Sequence, residues 1–200
     1  MNQEYIRNWL TSISSSHFTE LMEYASGQHP VFNGNVSRML WRTSGESSFR
    51  VYDFQYDGLN RLTSAAYGGQ GNFSTGYGYD LNGNLTCLTR IGRLSGDTYG
   101  PTDSLTFIYS GNQVTRIDDS AGNATSTGRY DFRNGANQDE EYAYDANGNM
   151  TRDLNKKLSS IQYNSRNLPS KITFSDGKYI TYVYDATGQK LAQMKSSVAN

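Results

Sequence analysis

Cysteine and proline are scarce in this chain, with Cys87 alone and three prolines (Pro30, Pro101, Pro169) in 200 residues. One thiol can make neither an internal disulfide nor a cysteine-rich zinc site. Cys87 lies in the alternating stretch Leu85-Thr86-Cys87-Leu88, where a buried or half-buried thiol is expected. No apolar run reaches the length of a membrane-spanning helix, about 18 residues or more. The first residues, Met1-Asn2-Gln3-Glu4-Tyr5, show no basic segment followed by an apolar one, so no secretory leader is visible. Charge of one sign is also missing: 18 Lys and Arg face 19 Asp and Glu, a net of −1. Phosphate neutralisation needs a clustered basic excess, so nucleic acid is not an expected partner. Residues 151–200 carry eight Lys or Arg against three Asp, but the basic residues are dispersed apart from Lys156-Lys157 and read as a solvated face.

What the chain does have is 16 Tyr and 20 Gly, with many Asn, Ser and Thr. Tyr and Thr suit a pleated, half-buried surface. Gly and Asn supply the positive φ that tight turns need. The mean hydropathy is low, yet an aromatic content of 13% is far from the disordered signature. This mixture predicts many short strands joined by tight turns.

A phrase recurs along the chain. Tyr144-Asp145-Ala146-Asn147-Gly148-Asn149-Met150-Thr151 is echoed by Tyr79-Asp80-Leu81-Asn82-Gly83-Asn84-Leu85-Thr86. Looser copies are Tyr56-Asp57-Gly58-Leu59-Asn60-Arg61-Leu62-Thr63 and Tyr184-Asp185-Ala186-Thr187-Gly188-Gln189-Lys190-Leu191. The anchors Tyr56, Tyr79, Tyr109, Tyr144, Tyr163 and Tyr184 are spaced by 23, 30, 35, 19 and 21 residues. The short spacings give the bare unit, and the long ones imply insertions or a degenerate unit near Tyr130-Asp131-Phe132.

Aromatics two residues apart precede each turn: Phe54/Tyr56, Tyr77/Tyr79, Phe107/Tyr109, Tyr142/Tyr144 and Tyr182/Tyr184. Such pairs share one face of a strand. In Asp-x-x-Gly the aspartate can accept from a backbone N–H two residues on, and the glycine can close a three-residue hairpin loop with a bulge. One unit is therefore a strand, a tight turn and a returning strand. Asp57, Asp80, Asp145 and Asp185, with Gly83, Gly148 and Gly188, are assigned to these turns. The first 45 residues are less regular. Ile6, Trp9, Leu10 and Ile13 fit a helical period, but Trp9-Leu10-Thr11-Ser12-Ile13 also aligns with a unit's returning strand, which is the preferred reading. Phe18 to Tyr24 and Val36 to Thr43 read as strands, while residues 92–103 and 134–139 read as inserted loops. No interdomain linker is visible.

Tyr-Asp-x-x-Gly-Asn-x-Thr at a period of about 20 residues resembles the YD-repeat, or RHS-repeat, family, and the texture of the chain is similar to RHS proteins of Bacteroides-type bacteria. Residues 50–195 carry the resemblance well, and residues 1–50 more weakly. The resemblance implies a large secreted or surface-delivered polypeptide whose repeats spiral into a hollow shell, enclosing a C-terminal toxin in some members. It also implies further repeats as partners, and carbohydrate binding has been attributed to such repeats. None of the three prolines follows an Asp, so the Asp-Pro motifs of the self-cleaving core are missing and neither cleavage nor a toxin carries over.

Catalysis finds no constellation. Glycoside hydrolysis needs two carboxylates in unlike environments, whereas Asp57, Asp80, Asp145 and Asp185 occupy equivalent turns. Asp145, Asn147, Asn149 and Asp153 place four oxygen donors close in sequence, but glycine and acid are out of place for a calcium loop, and an ordinary turn is preferred. His17 and His29 stand outside the repeats, and Gly68-Gly69-Gln70-Gly71 lacks the Lys-Ser/Thr of a phosphate loop. No cofactor and no metal are expected. The aromatics Tyr77, Tyr79, Tyr142, Tyr144, Tyr182 and Tyr184 could stack on glycans or pack within the sheet.

The expected fold is all-β: consecutive antiparallel hairpins, 12 to 16 strands by the repeat count, forming a curved, spiralling open segment of a shell. Residues 1–50 form a degenerate segment, 51–195 the array, and 196–200 a tail. The expected function is structural and non-catalytic, with glycan adhesion through the tyrosine stripe as the alternative. Unpaired edges at both ends predict self-association.

Overall fold

Asx residues and glycines break the chain at short intervals, and β-branched and aromatic residues fill the gaps. Among the described residues the result is strands without helices. The computed structural model describes the backbone of residues 3–4 and all of residues 8–121 and 131–196. Ile6 and Tyr130, both invoked above, and residues 197–200 of the expected tail lie outside this range. Sixteen strands appear among the described residues, and no helix is long and apolar enough to cross a membrane.

Strands β1 (Gln3–Glu4), β2 (Leu10–Ser14), β3 (Phe18–Glu23), β4 (Arg38–Thr43), β5 (Arg50–Tyr56), β6 (Leu62–Gly68), β7 (Thr75–Tyr79), β8 (Leu85–Ser95), β9 (Thr98–Ser110) and β10 (Gln113–Asp119) form one sheet in sequence order. A second sheet runs β11 (Tyr142–Tyr144), β12 (Met150–Asp153), β13 (Leu158–Tyr163), β14 (Pro169–Phe174), β15 (Tyr179–Tyr184) and β16 (Lys190–Lys195). Both are antiparallel and open, and every strand follows its neighbour in sequence. The chain divides into two compact units, Met1–Leu105 with Ser120–Phe132, and Thr106–Asp119 with Arg133–Asn200.

Burial is shallow. Among the described residues only Tyr24, Ala65, Leu105 and Tyr142 are buried apolar side chains. Most strand positions are half-buried, as expected where side chains pack along a sheet rather than inside a closed core. Four polar groups are buried instead: Ser37, Asp103, Glu141 and Asp153. Asp103, in the first unit, accepts from Arg90 Nε at 2.6 Å and from the Phe132 amide at 2.8 Å. Glu141, in the second, accepts from Asn155 Nδ2 at 2.7 Å and from the Ile117 amide at 3.2 Å. These bonds offset the desolvation of Asp103 and of Glu141 Oε2, while Glu141 Oε1 is buried without a partner among the described residues.

The ambiguous first segment is a strand, β2, and not a helix. Two expectations are corrected. Residues 92–103 are not an inserted loop: 92–95 and 98–103 belong to the paired strands β8 and β9, joined by a turn at 96–97, and these are the longest strands among the described residues at 11 and 13 residues. Their small residues make room for neighbours. A Cβ on Gly92 would stand 2.8 Å from Thr102 Cγ2, and one on Gly100 2.8 Å from Leu94 Cδ1. Cys87 is exposed, not buried. It pairs with Gly78, so the side chain that would cover it is missing. By contrast, residues 134–139 carry no strand. The last strand, β16, is exposed throughout and ends in Lys190 and Lys195, charges of the kind that blunt a sheet edge.

Candidate functional site

Five turns share one geometry, at residues 57–61, 80–84, 145–149, 164–168 and 185–189. In each, the amide of the first residue donates to the carbonyl of the fifth at 2.9–3.0 Å, as in Asp145 to Asn149 and Asn164 to Leu168. The fourth residue has positive φ: Asn60 (63°), Gly83 (88°), Gly148 (83°), Asn167 (58°) and Gly188 (92°). Gly and Asn are the residues that tolerate this region.

The Asx side chain fills the turn. Asp145 Oδ1 accepts from the amides of Asn147 and Asn149, both at 2.9 Å. Asp57 does the same with Leu59 and Arg61, both at 2.9 Å, and Asp185 with Thr187 and Gln189 at 2.8 and 2.9 Å. Asn164 repeats the pattern with Arg166 and Leu168 at 3.0 and 3.1 Å. The second carboxylate oxygen takes the side chain of the fifth residue: Arg61 Nε at 2.7 Å for Asp57, Asn84 Nδ2 at 2.8 Å for Asp80, and Asn149 Nδ2 at 2.9 Å for Asp145. This explains the Asn after the glycine in the repeat.

These bonds hold all four aspartates below the usual carboxylate range. For Asp57 the largest cause is the Arg61 amide; for Asp80 and Asp145 it is the side-chain amide of Asn84 and Asn149; for Asp185 it is the Thr187 hydroxyl. Shifts in one direction at equivalent sites are the opposite of an acid/base division of labour. In the calcium-like run the two carboxylates are met by internal donors: Asp145 accepts from Asn147 and Asn149, and the buried Asp153 pairs with Lys156 at 3.3 Å. Asn147 and Asn149 in turn donate their side-chain amides to Asn167 Oδ1, at 3.2 and 3.1 Å.

Register adds a role for the repeated threonine. Gln55 pairs with Ser64 but Tyr56 with Leu62, so Thr63 is the extra residue of a bulge. The same shift leaves out Thr86, Thr151, Ser170 and Leu191 at the other turns. Bulges bend the strand and sharpen its twist. Five bulges at equivalent places therefore bend these five hairpins the same way.

The tyrosine before the turn reaches back to the preceding hairpin. Tyr79 donates its phenol to the Leu62 carbonyl at 2.8 Å, Tyr163 to Met150 at 2.7 Å, and Tyr184 to Pro169 at 2.9 Å. Leu62, Met150 and Pro169 each begin the strand that leaves the previous turn. Tyr56 donates in the same way to Val36 at 2.8 Å, and Tyr24, which no motif marks, to Leu10 at 2.7 Å. Burial raises the pKa of Tyr24, Tyr56, Tyr79 and Tyr163. Arg61 adds a second link, donating to the Asp80 carbonyl at 2.8 Å while lying 4.7 Å from the Tyr79 ring centroid.

The six aromatics proposed for glycan contact are placed differently. Tyr142 is buried, its hydroxyl accepts from Asn155 at 3.0 Å, and burial pushes its pKa up to about 12. Tyr77, Tyr79, Tyr144, Tyr182 and Tyr184 are half-buried. Tyr182 carries Lys190 at 4.0 Å over its ring.

No protein-family profile matches the chain, and no curated protein matches it. Solved structures do. The crystal structure of TcdB2-TccC3 matches 99% of this chain with a TM-score of 0.62 at 14% identity. The Photorhabdus luminescens Tc holotoxin pore matches 99% with a TM-score of 0.62 at 13% identity. This chain spans 11% of the length of each of those chains. The fold is shared with a segment of these toxin-complex chains, and it is the RHS-like fold that the repeats implied.

Proposed function

We propose that this chain is a non-catalytic section of the wall of a secreted or surface RHS shell, of the kind that in toxin members encloses a C-terminal effector. One observation carries the reading: the recurring polar groups are spent on the chain's own backbone. The aspartates cap turns, and the hydroxyls of Tyr56, Tyr79, Tyr163 and Tyr184 tie their hairpins to the one before. The likeness to segments of Tc toxin chains supports the same reading. Further repeats are the natural partners, since each staple needs a hairpin on its N-terminal side. A glycan surface built from Tyr77, Tyr79, Tyr142, Tyr144, Tyr182 and Tyr184 is the weaker reading, because Tyr142 is buried and the phenols of Tyr79 and Tyr184 are engaged.

Electron microscopy of the natural polypeptide carrying this sequence tests the proposal. A hollow particle with this segment in its wall is expected. A solid globule, or hydrolytic activity lost on Asp145→Asn with the fold intact, would overturn it.

A further inference from the structure

Two cavities of the first unit share Phe73 and Arg93 in their walls. One, of about 540 Å³, is lined by the rings of Trp41, Tyr52, Tyr67 and Tyr99. The other, of about 420 Å³, has a different character. Phe73, Ile91 and Gly92 give it apolar surface, Thr75 and Thr102 stand beside them, and Arg90 and Arg93 are its charged groups. Its size is that of a small-molecule site, about 300–1,000 Å³. Gly92 adds no side chain to it, and the Thr102 methyl lies where a Cβ on Gly92 would meet it at 2.8 Å. Thr102 spends its hydroxyl on the Arg90 carbonyl at 3.3 Å. Phe73 is held in place: its ring meets Tyr67 and Tyr99 edge-on, at 5.2 and 5.4 Å, and its carbonyl accepts from the Tyr52 phenol at 2.9 Å.

Among the described residues, two arginines and no carboxylate line this second cavity. The two are committed to different degrees. Arg90 donates from Nε to the buried Asp103 at 2.6 Å, which fixes it. Arg93 donates to the Gly96 carbonyl and lies 3.4 Å from Asp97, whose side chain is 95% exposed. An exposed pair at that distance contributes little, so another oxyanion can replace Asp97 at small cost. A guanidinium takes a carboxylate through two parallel N–H···O bonds.

Apolar surface beside one exchangeable arginine selects an amphiphile with a single anionic head. Sugar hydroxyls, or the base and ribose of a nucleotide, would lie against Phe73 and Ile91 with their polar groups unmet. A cation would face two guanidinium groups. A peptide adding as a strand needs a free sheet edge, and β7, β8 and β9 are each paired on both sides. An acyl chain asks only for apolar area. We propose that the cavity between Phe73 and Arg93 binds a fatty-acid-type carboxylate as a free single-chain amphiphile, its tail on Phe73, Ile91 and Gly92 and its head on Arg93. None of these residues belongs to a Tyr-Asx turn, so this site and the wall reading can fail separately.

The full chain would be titrated with dansyl-undecanoic acid, whose emission rises in apolar sites, and the bound probe displaced with decanoate, decanol or acetate. Saturable binding is expected. Decanoate should compete at least tenfold better than decanol, and acetate should not compete. In Arg93→Gln, an exposed substitution, decanoate should weaken at least tenfold, to the level of decanol. Ile91→Thr keeps a β-branched residue in the strand and should weaken both. If its melting temperature falls, the loss of head-group preference in Arg93→Gln decides alone. Sedimentation with phosphatidylglycerol vesicles separates a free chain from a membrane surface, and no cosedimentation is expected. Absence of probe binding, equal competition by decanoate and decanol, unchanged decanoate affinity in Arg93→Gln, or cosedimentation with the vesicles would each overturn the proposal.

Discussion

In the first unit, Trp41, Tyr52, Tyr67, Phe73 and Tyr99 touch one another in series across the sheet. In the second, Tyr182 and Tyr184 stand 6.4 Å apart, and the cover over Tyr182 is a lysine. Yet the turns of the two units can be superposed bond for bond in their hydrogen-bonding scheme. Asp57 in one and Asp145 in the other accept the same pair of amides and the same fifth side chain. Tyr79 in one and Tyr163 in the other make the same backward bond. Turn and staple therefore belong to the repeat, whereas the ring cluster is an addition made by one region. Losses at the turns should be alike in both units, and losses at the faces should differ.

Face substitutions probe the difference most strongly. Trp41→Ala removes a stacked ring and should cost about 3 kcal/mol, the lower end for deleting a large aromatic. Tyr182→Ala loses mainly a lysine contact, worth about 1 kcal/mol. Equal losses in urea unfolding would erase the contrast. Next come the turn glycines. A Cβ at Gly83 would meet nothing within 4 Å, so Gly83→Val tests backbone strain alone. It and Gly148→Val should each cost about 1–3 kcal/mol, with the two values close to each other.

Phenol removal is milder. Tyr79→Phe and Tyr163→Phe each delete one hydrogen bond to a backbone carbonyl, so about 1 kcal/mol is expected at each. A loss at one site alone would break the equivalence of the units. Acid has the smallest effect and should act on both units. The turn aspartates have folded-state pKa values below their unfolded ones. Their contribution is complete above the unfolded value, about 4, and drains away as pH falls through the folded values. The melting temperature should therefore drop below about pH 4. Asp145→Asn should flatten that drop, because Asn164 shows that an amide oxygen can hold the same two backbone donors without titrating.

Strands and turns were legible in the sequence because their causes are local. An Asx side chain bonding two and four residues ahead, and a Gly at positive φ, are fixed within five residues. What stayed hidden depends on pairing. The threonine looked like an ordinary strand residue, and only the register makes Thr63, Thr86 and Thr151 the bulged positions. Cys87 is exposed because its partner is Gly78, which alternation within β8 could not reveal. Residues 92–103 resemble a loop in sequence, yet Gly92 and Gly100 give way to the side chains of Thr102 and Leu94 across a strand pair. Tyr24 lacks the Asp that marks the motif, so its bond to Leu10 had no local sign. The ring cluster joins Trp41 to Tyr99, and no spacing rule spans that distance.

The backward reach of the tyrosines gives the array a direction in time. Each phenol closes on a carbonyl 13 to 20 residues earlier in the chain. As the polypeptide leaves the ribosome, each hairpin that carries one of these tyrosines finds its docking point already made. Growth can then proceed like courses of brick, each locked to the one beneath before the next is laid. Contacts this local favour fast closure. A partly emerged chain would be finished up to the last of these five tyrosines.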